Sequence, residues 1–343
     1  MRKITVKTIG GLKDIKIIGL LCLGCASLAL SAPAQTAQTG QMAPLTAGKP
    51  VLLPGTHGGF DFIQVDQRAR RLLLAHEGNK TLDVVDLASG KFLKSVPTGT
   101  CQDTSVDRKN GNYYVSGNDP GRLVIVNAKD LTVTGEVPVP THTDLNAFDP
   151  ATGQVHLCND TAAEEWVIDP AARKIVTTIH FDGRGLEGVI LDRRHGLMFQ
   201  AVTGSNTIAV IDAASNAVVH AWSLAPDKGP HGIALAGRNG LLVACNKALL
   251  LLDRSTGKIL ARAEIAPRVD EIAYDARLHL AYCASGQGEI SVVRVGPDTL
   301  TTVGNVPDQR GTHSIAVDRR THTVWVASHK GDQCFAQPFM PVR

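Results

Sequence analysis

Apolar residues along this chain come in short runs of four or five, each closed by a polar turn, and the arrangement recurs seven times from residue 61 onward. Phe62–Val65, Gly188–Leu191, Gly232–Leu235, Glu271–Tyr274 and Ser314–Val317 each open a unit. An aspartate-centred turn leads to a second run, such as Leu72–Ala75, Leu241–Ala244 or Val324–Ala327. A third run ends in Asp or Asn, as in Leu82–Asp86, Leu123–Asn127, Trp166–Asp169, Ile208–Asp212 and Leu249–Asp253. Ser89-Gly90-Lys91 and Thr256-Gly257-Lys258 then mark a hairpin before a fourth, more polar strand. Continuous apolar runs of this length suit strands covered on both faces.

Two sets of equivalent positions fix the register. Asp61, Gln102, Asp144, Glu187, His231, Asp270 and His313 open the units at spacings of 39 to 44 residues. Five residues after each stands a turn position: Asp66, Asp107, Asp149, Asp192, Ala236, Asp275 and Asp318. A period near 42 with four short strands per unit predicts an all-β, seven-bladed β-propeller of four-stranded antiparallel blades. The last unit is short of one strand. Lys49–Gly55 has the character of the outer strands, so an N-terminal strand is expected to close the last blade and cover two sheet edges. The propeller is therefore placed at 49–343, after a flexible lead over 35–48 rich in Gln, Thr, Ala, Gly and Pro.

The first 34 residues read as a secretory signal peptide: Arg2, Lys3, Lys7, Lys13 and Lys16 precede the apolar stretch from Ile17 to Ala32, with Ala32-Pro33-Ala34 as the cleavage region. A periplasmic or secreted protein is expected. Cys25 after Leu23-Gly24 raises lipoprotein attachment as an alternative, although Cys22 stands where that motif wants Leu. A chain cut after Ala34 carries a net charge of about −1 rather than +3, which removes any case for a generally basic, nucleic-acid-coating protein. No later apolar run is long enough to span a bilayer. Cys101, Cys158, Cys245, Cys283 and Cys334 remain, an odd number without metal-site spacing, and an exported protein has room for one or two disulfides among them.

The blade text resembles the YVTN-type β-propeller repeat family of YncE-like proteins over essentially all of residues 49–343. Ser314-Ile315-Ala316-Val317-Asp318, Ile208-Ala209-Val210-Ile211-Asp212 and Leu252-Asp253-Arg254-Ser255-Thr256-Gly257-Lys258 follow its pattern. The resemblance implies an exported seven-bladed propeller, in a family where some members are thought to bind single-stranded DNA or cell-envelope components. Related seven-bladed folds include lactonases and metal-dependent lyases, so the fold alone does not choose an activity.

Ring closure would gather the unit-opening side chains around one mouth of a central channel. Asp61, Asp144, Glu187, His231, Asp270 and His313 are ionisable, and Gln102 completes the ring. Carboxylates alternating with imidazoles suit a divalent cation (Ca, Mg or Zn), with Asp144, Glu187 and Asp270 as its ligands, or a small polar ligand or protein partner. A lactonase-like hydrolase or lyase would use such a cation, with His231, His313 or Glu187 as catalytic candidates. The structural alternative is that these residues bond neighbouring backbone and hold blades together. The loops after the second strands add His76, Glu77, Asn79, Asn118, Asn159, Asp160, Asn246 and His329; His76 and His329 are expected to approach His313 and Asp61. His57 and His142 are weaker candidates. The turn aspartates are expected to set reversals, not to form a site.

Beside those turns lie Arg68, Arg71, Arg108, Arg193, Arg194, Arg319 and Arg320, a basic belt on the opposite face and the one footprint that suits a polyanion such as single-stranded DNA or the envelope. With aromatic residues at only 4%, no stacking platform for single strands is evident. No GxSxG, HExxH, P-loop or CxxCH motif occurs.

Overall fold

The computed structural model describes residues 44–56 and 58–342. The leader expected over 1–34, Cys25, the lead up to residue 43, His57 and Arg343 lie outside them. Among the described residues the strands fall into seven antiparallel sheets arranged as the blades of a propeller, and the one helical element is a single 3-10 turn at Glu77–Asn79. The innermost strands, in blade order, are Ile63–Asp66, Thr100–Asp107, Asn146–Asp149, Leu186–Asp192, Ile233–Ala236, Val269–Asp275 and Ile315–Asp318. No helix is long and apolar enough to cross a membrane.

The N-terminal segment does complete blade 7, but it begins earlier than Lys49. Leu45–Ala47 pairs antiparallel with Phe339–Pro341, and Val51–Leu52 pairs with Phe335–Ala336 on the same edge. The last residues assigned to a flexible lead are thus strand, because Leu45 is buried in the contact between blades 6 and 7. Gly48 N–H donates to the Pro338 carbonyl at 2.8 Å and carries the outer strand across the interruption.

Burial explains the unalternating sequence. In blade 1, Leu72, Leu73 and Leu74 are each 0–1% exposed, since even- and odd-numbered side chains enter the contacts with blades 7 and 2 respectively. Each such side chain stabilises the fold by roughly 1.5–3 kcal/mol. The fourth strands keep one face in water, as the exposed Ala217–His220 shows. All five cysteines are buried thiols and none is in a disulfide; burial pushes the Cys101 and Cys245 thiols up to about 12. The room for one or two disulfides is thus not used among the described cysteines, and each thiol fills its own inter-blade contact.

Turn aspartates do the work expected of them. Asp66 Oδ1 accepts from the Arg68 and Ala69 N–H groups at 3.0 and 3.1 Å, and Asp107 does the same for Lys109 and Asn110. Asp86, Asp169, Asp212 and Asp253 hold the later hairpins in the same way.

Candidate functional site

The unit-opening residues sit where the backbone of one blade hands over to the next. Phe62 N–H donates to the Gln102 carbonyl at 3.0 Å, and Glu271 N–H donates to the His313 carbonyl at 3.2 Å. Backbone groups thus join the blades at this level, and the side chains are left to face the mouth. Gln102, Glu187 and Asp270 lie in register breaks between Cys101 and Thr104, Leu186 and Val189, and Val269 and Ile272. Bulges of this kind re-aim a side chain out of the pleat.

Two glycines set the spacing of the acidic side. A Cβ on Gly188 would fall 2.5 Å from the His231 carbonyl oxygen, and one on Gly232 would fall 2.5 Å from that of Asp270. Blades 4, 5 and 6 therefore approach more closely than any side chain allows. The result is that donor atoms of Glu187, His231 and Asp270 lie within 4.8 Å of one another, the one such group found among the described residues. Of the expected ligands, Glu187 and Asp270 fall in this group with His231, which stands on the blade between them; Asp144 is on blade 3, on the far side of Glu187. His231 Nδ1–H donates to the Gly229 carbonyl at 3.0 Å, which leaves Nε2 as the lone-pair nitrogen, 3.8 Å from Glu187 Oε1.

Charge is crowded here. Burial, followed by Asp270, Glu77, Asp103 and Glu271, holds the Asp61 carboxyl well above the usual range. Burial also raises Asp144, assisted by Asp61, Glu187, Asp160 and Asp270. Glu187 is pushed up to about 7 by burial; His231 opposes the rise and Asp270 and Asp160 add to it. Mutual effects between blades 1, 3, 4 and 6 place these groups around one opening. His313 Nδ1–H donates to Asp270 Oδ2 at 2.7 Å, and this bond raises the His313 pKa. The bond favours the protonated imidazole and ties His313 to Asp270 across blades 6 and 7.

Other expected residues are placed differently. His76 is fully buried, bonded to Asp83 at 2.8 Å and stacked on Phe60 at 4.1 Å, so it braces blade 1 instead of facing the opening. The exposed His329 packs its ring against Gly58. His142 lies 3.3 Å from Asp160 and bonds Asn118 at 2.9 Å. The Gln102 Oε1 atom is buried without a partner.

Sequence reasoning missed a second acidic tier, one residue further in. Glu271 Oε2 accepts from the Ile315 N–H at 2.7 Å and the Ile63 N–H at 3.3 Å, linking blade 6 to blades 7 and 1. Asp103 accepts from Asn146 N–H at 3.0 Å and Thr104 N–H at 2.6 Å, linking blade 2 to blade 3. Burial raises both carboxyls, Asp103 to about 6. The signal was present: these two blades put a carboxylate where the others put Phe, Leu, Gly or Ser. Beyond this tier the inner strands line a channel of about 620 Å³. A second pocket of about 520 Å³ opens beside the mouth between blades 5 and 7, lined by His231, Asn246, Arg268, Asp270 and His313.

No protein-family model and no curated protein sequence matches the chain. Solved structures do. A chain of Kuenenia stuttgartiensis hydrazine synthase aligns with a TM-score of 0.71 at 13% identity, covering 83% of this chain and 96% of that one. A chain of a mitotic checkpoint complex gives 0.74 at 12% identity, with 93% and 99% coverage. The WD40 repeats of RRP9 give 0.72 at 12%, with 86% and 100%. At these identities the likeness shows the seven-bladed, WD40-like propeller fold and no activity.

Proposed function

We propose that this chain is an exported binding propeller whose acidic, histidine-bearing mouth holds a divalent cation and, through it, a small polar ligand or protein partner. One observation carries the reading: the Glu187, His231 and Asp270 donors lie within 4.8 Å of one another, ringed by carboxyls that burial and repulsion keep short of a positive charge. Two carboxylates and an imidazole nitrogen suit zinc better than the all-oxygen shells of calcium or magnesium. Three protein donors also leave a coordination position for the ligand. Export and kinship with the YVTN-type propellers are part of the proposal, supported by the basic and apolar leader and by repeats such as Ser314–Asp318.

The test is calorimetric titration of chelator-treated protein with Zn²⁺, Ca²⁺ and Mg²⁺, repeated with Glu187→Gln and Asp270→Asn. Zinc binding that both variants weaken at least tenfold is expected. At a hundred times Kd, zinc should stabilise the fold by about 2.7 kcal/mol. Wild-type protein with no heat and no thermal shift for any of the three ions would remove the reading.

A second reading, a metal-assisted hydrolase or lyase of the lactonase type, is favoured by that open position and by the placement of His231 Nε2. It requires turnover of a lactone that disappears with Glu187→Gln.

A further inference from the structure

Outside the acidic mouth, the feature the proposed function leaves unused is the arginine-rich hairpin face, and the structure divides its arginines into unlike groups. Some already have partners. Arg70 forms a two-pronged pair with Asp318, the Arg71 guanidinium donates to the Ala128 carbonyl, and Arg254 pairs with Asp192 at 3.3 Å. Others stand two residues after the turn position and do not reach the axis: Arg68, Arg194, Arg238, Arg277 and Arg320 are missing from the channel wall.

The residue immediately after each turn position behaves differently. Gln67, Arg108, Arg193, Gly237, Ala276 and Arg319 all line the 620 Å³ channel. Six of seven blades thus present this position to the axis, and none offers a carboxylate there. The arginines come from blades 2, 4 and 7, spread around the ring. Among the described residues the Arg193 and Arg319 guanidiniums have no ion pair or hydrogen bond, and Arg108 has only Asp66, at 3.9 Å. The turn aspartates are spent on backbone N–H groups and on Arg70 and Arg254. Small residues on the adjacent blades 5 and 6 keep the opening clear, and a Cβ on Gly237 would meet nothing within 4 Å. Gln67 braces the opening, donating to the Val317 carbonyl at 2.8 Å and accepting from Arg319 N–H at 3.0 Å.

We propose that this second mouth is an anion site, taking a compact phosphate-class oxyanion on the channel axis between the guanidiniums of Arg108, Arg193 and Arg319. Planar forks with two donors each match the oxygens of such a group. Carboxylates at the far end of the same channel steer an anion to the arginine end. The site is independent of any cation at the acidic mouth.

The experiment is calorimetric titration of the full chain with inorganic pyrophosphate at about 20 mM salt, where screening is weak. Wild type is compared with Arg193→Gln/Arg319→Gln, with Arg68→Gln/Arg277→Gln as a belt control and Glu187→Gln as an acidic-mouth control; circular dichroism confirms that each folds. Saturable binding is expected that falls at least tenfold in the first variant, stays within twofold in both controls, and weakens with salt. Absence of binding at about 20 mM salt would overturn the site. So would an equal loss in the belt control, or an oligothymidylate that binds more tightly than pyrophosphate and depends on Arg68 and Arg277; these outcomes mark a diffuse polyanion surface.

Discussion

The two mouths of the channel are made from equivalent positions of one repeat, yet they obey different physics. At the acidic mouth, burial raises the proton affinity of Asp61, Asp144 and Glu187, and Asp270 adds to the rise in all three. At the arginine mouth the charges stand on exposed hairpins, where each is solvated by itself. The first arrangement stores repulsion that the proposed cation would relieve. The second stores little and depends on a multivalent ligand for affinity.

The largest effect should come from separating the blades at the acidic mouth. A side chain at position 232 meets the Asp270 carbonyl at 2.5 Å and the Ile272 nitrogen at 2.9 Å, both backbone atoms that cannot step aside. Gly232→Val is expected to cost about 3 kcal/mol in urea denaturation and to weaken zinc binding more than tenfold. Gly286→Ala is the control: its added carbon meets only the Arg268 carbonyl at 3.9 Å, so stability should move by about 0.5 kcal/mol or less. Unchanged zinc affinity in Gly232→Val would show that close blade contact does not build the site.

Next in size is the response to pH, and the two mouths should differ in it. Glu187 at about 7 and Asp103 at about 6 bind protons more tightly folded than unfolded. Stability from such groups is complete below the unfolded carboxyl values and is lost as pH rises through about 6 and 7. Asp253 and Asp318, lowered chiefly by the Ser255 and Arg70 bonds against opposing burial, contribute in the reverse sense and lose their share as pH falls through the acid range. Each tenfold change in proton affinity is about 1.4 kcal/mol. Allowing for solvent access, metal-free protein should lose roughly 2 kcal/mol, or about 5 °C in Tm, between pH 5 and pH 8. Zinc should restore it at pH 8. A Tm that rises across this interval without metal would mean that the mouth is not desolvated as described.

Much of this was legible in sequence because a propeller repeats its solution. The period placed Asp61 and His313 on neighbouring blades, and Asp66 or Asp253 announced their turns by position alone. Individual blades hid more. The convergence of Glu187, His231 and Asp270 depends on how tightly blades 4 to 6 pack at Gly188 and Gly232, a three-dimensional distance no period encodes. Glu271 counts into the apolar run Glu271–Tyr274 and Asp103 is passed over, although each anchors the backbone of other blades. His76 read as a loop residue because its partner Asp83 lies across a strand pair, where spacing alone does not reveal burial.

The smallest prediction is also the sharpest discriminator between belt and mouth. Arg277 follows its turn aspartate by two residues, donates only its backbone N–H to Asp275, and stays off the channel wall. Arg319 follows by one and lines it. Arg277→Gln should therefore change stability by no more than about 0.5 kcal/mol and leave the salt dependence of pyrophosphate binding intact. Arg319→Gln should reduce the magnitude of that dependence by about one counterion. Equal slopes for the two variants would mean that one residue of register along the hairpin makes no difference, and that the belt acts as an undivided field.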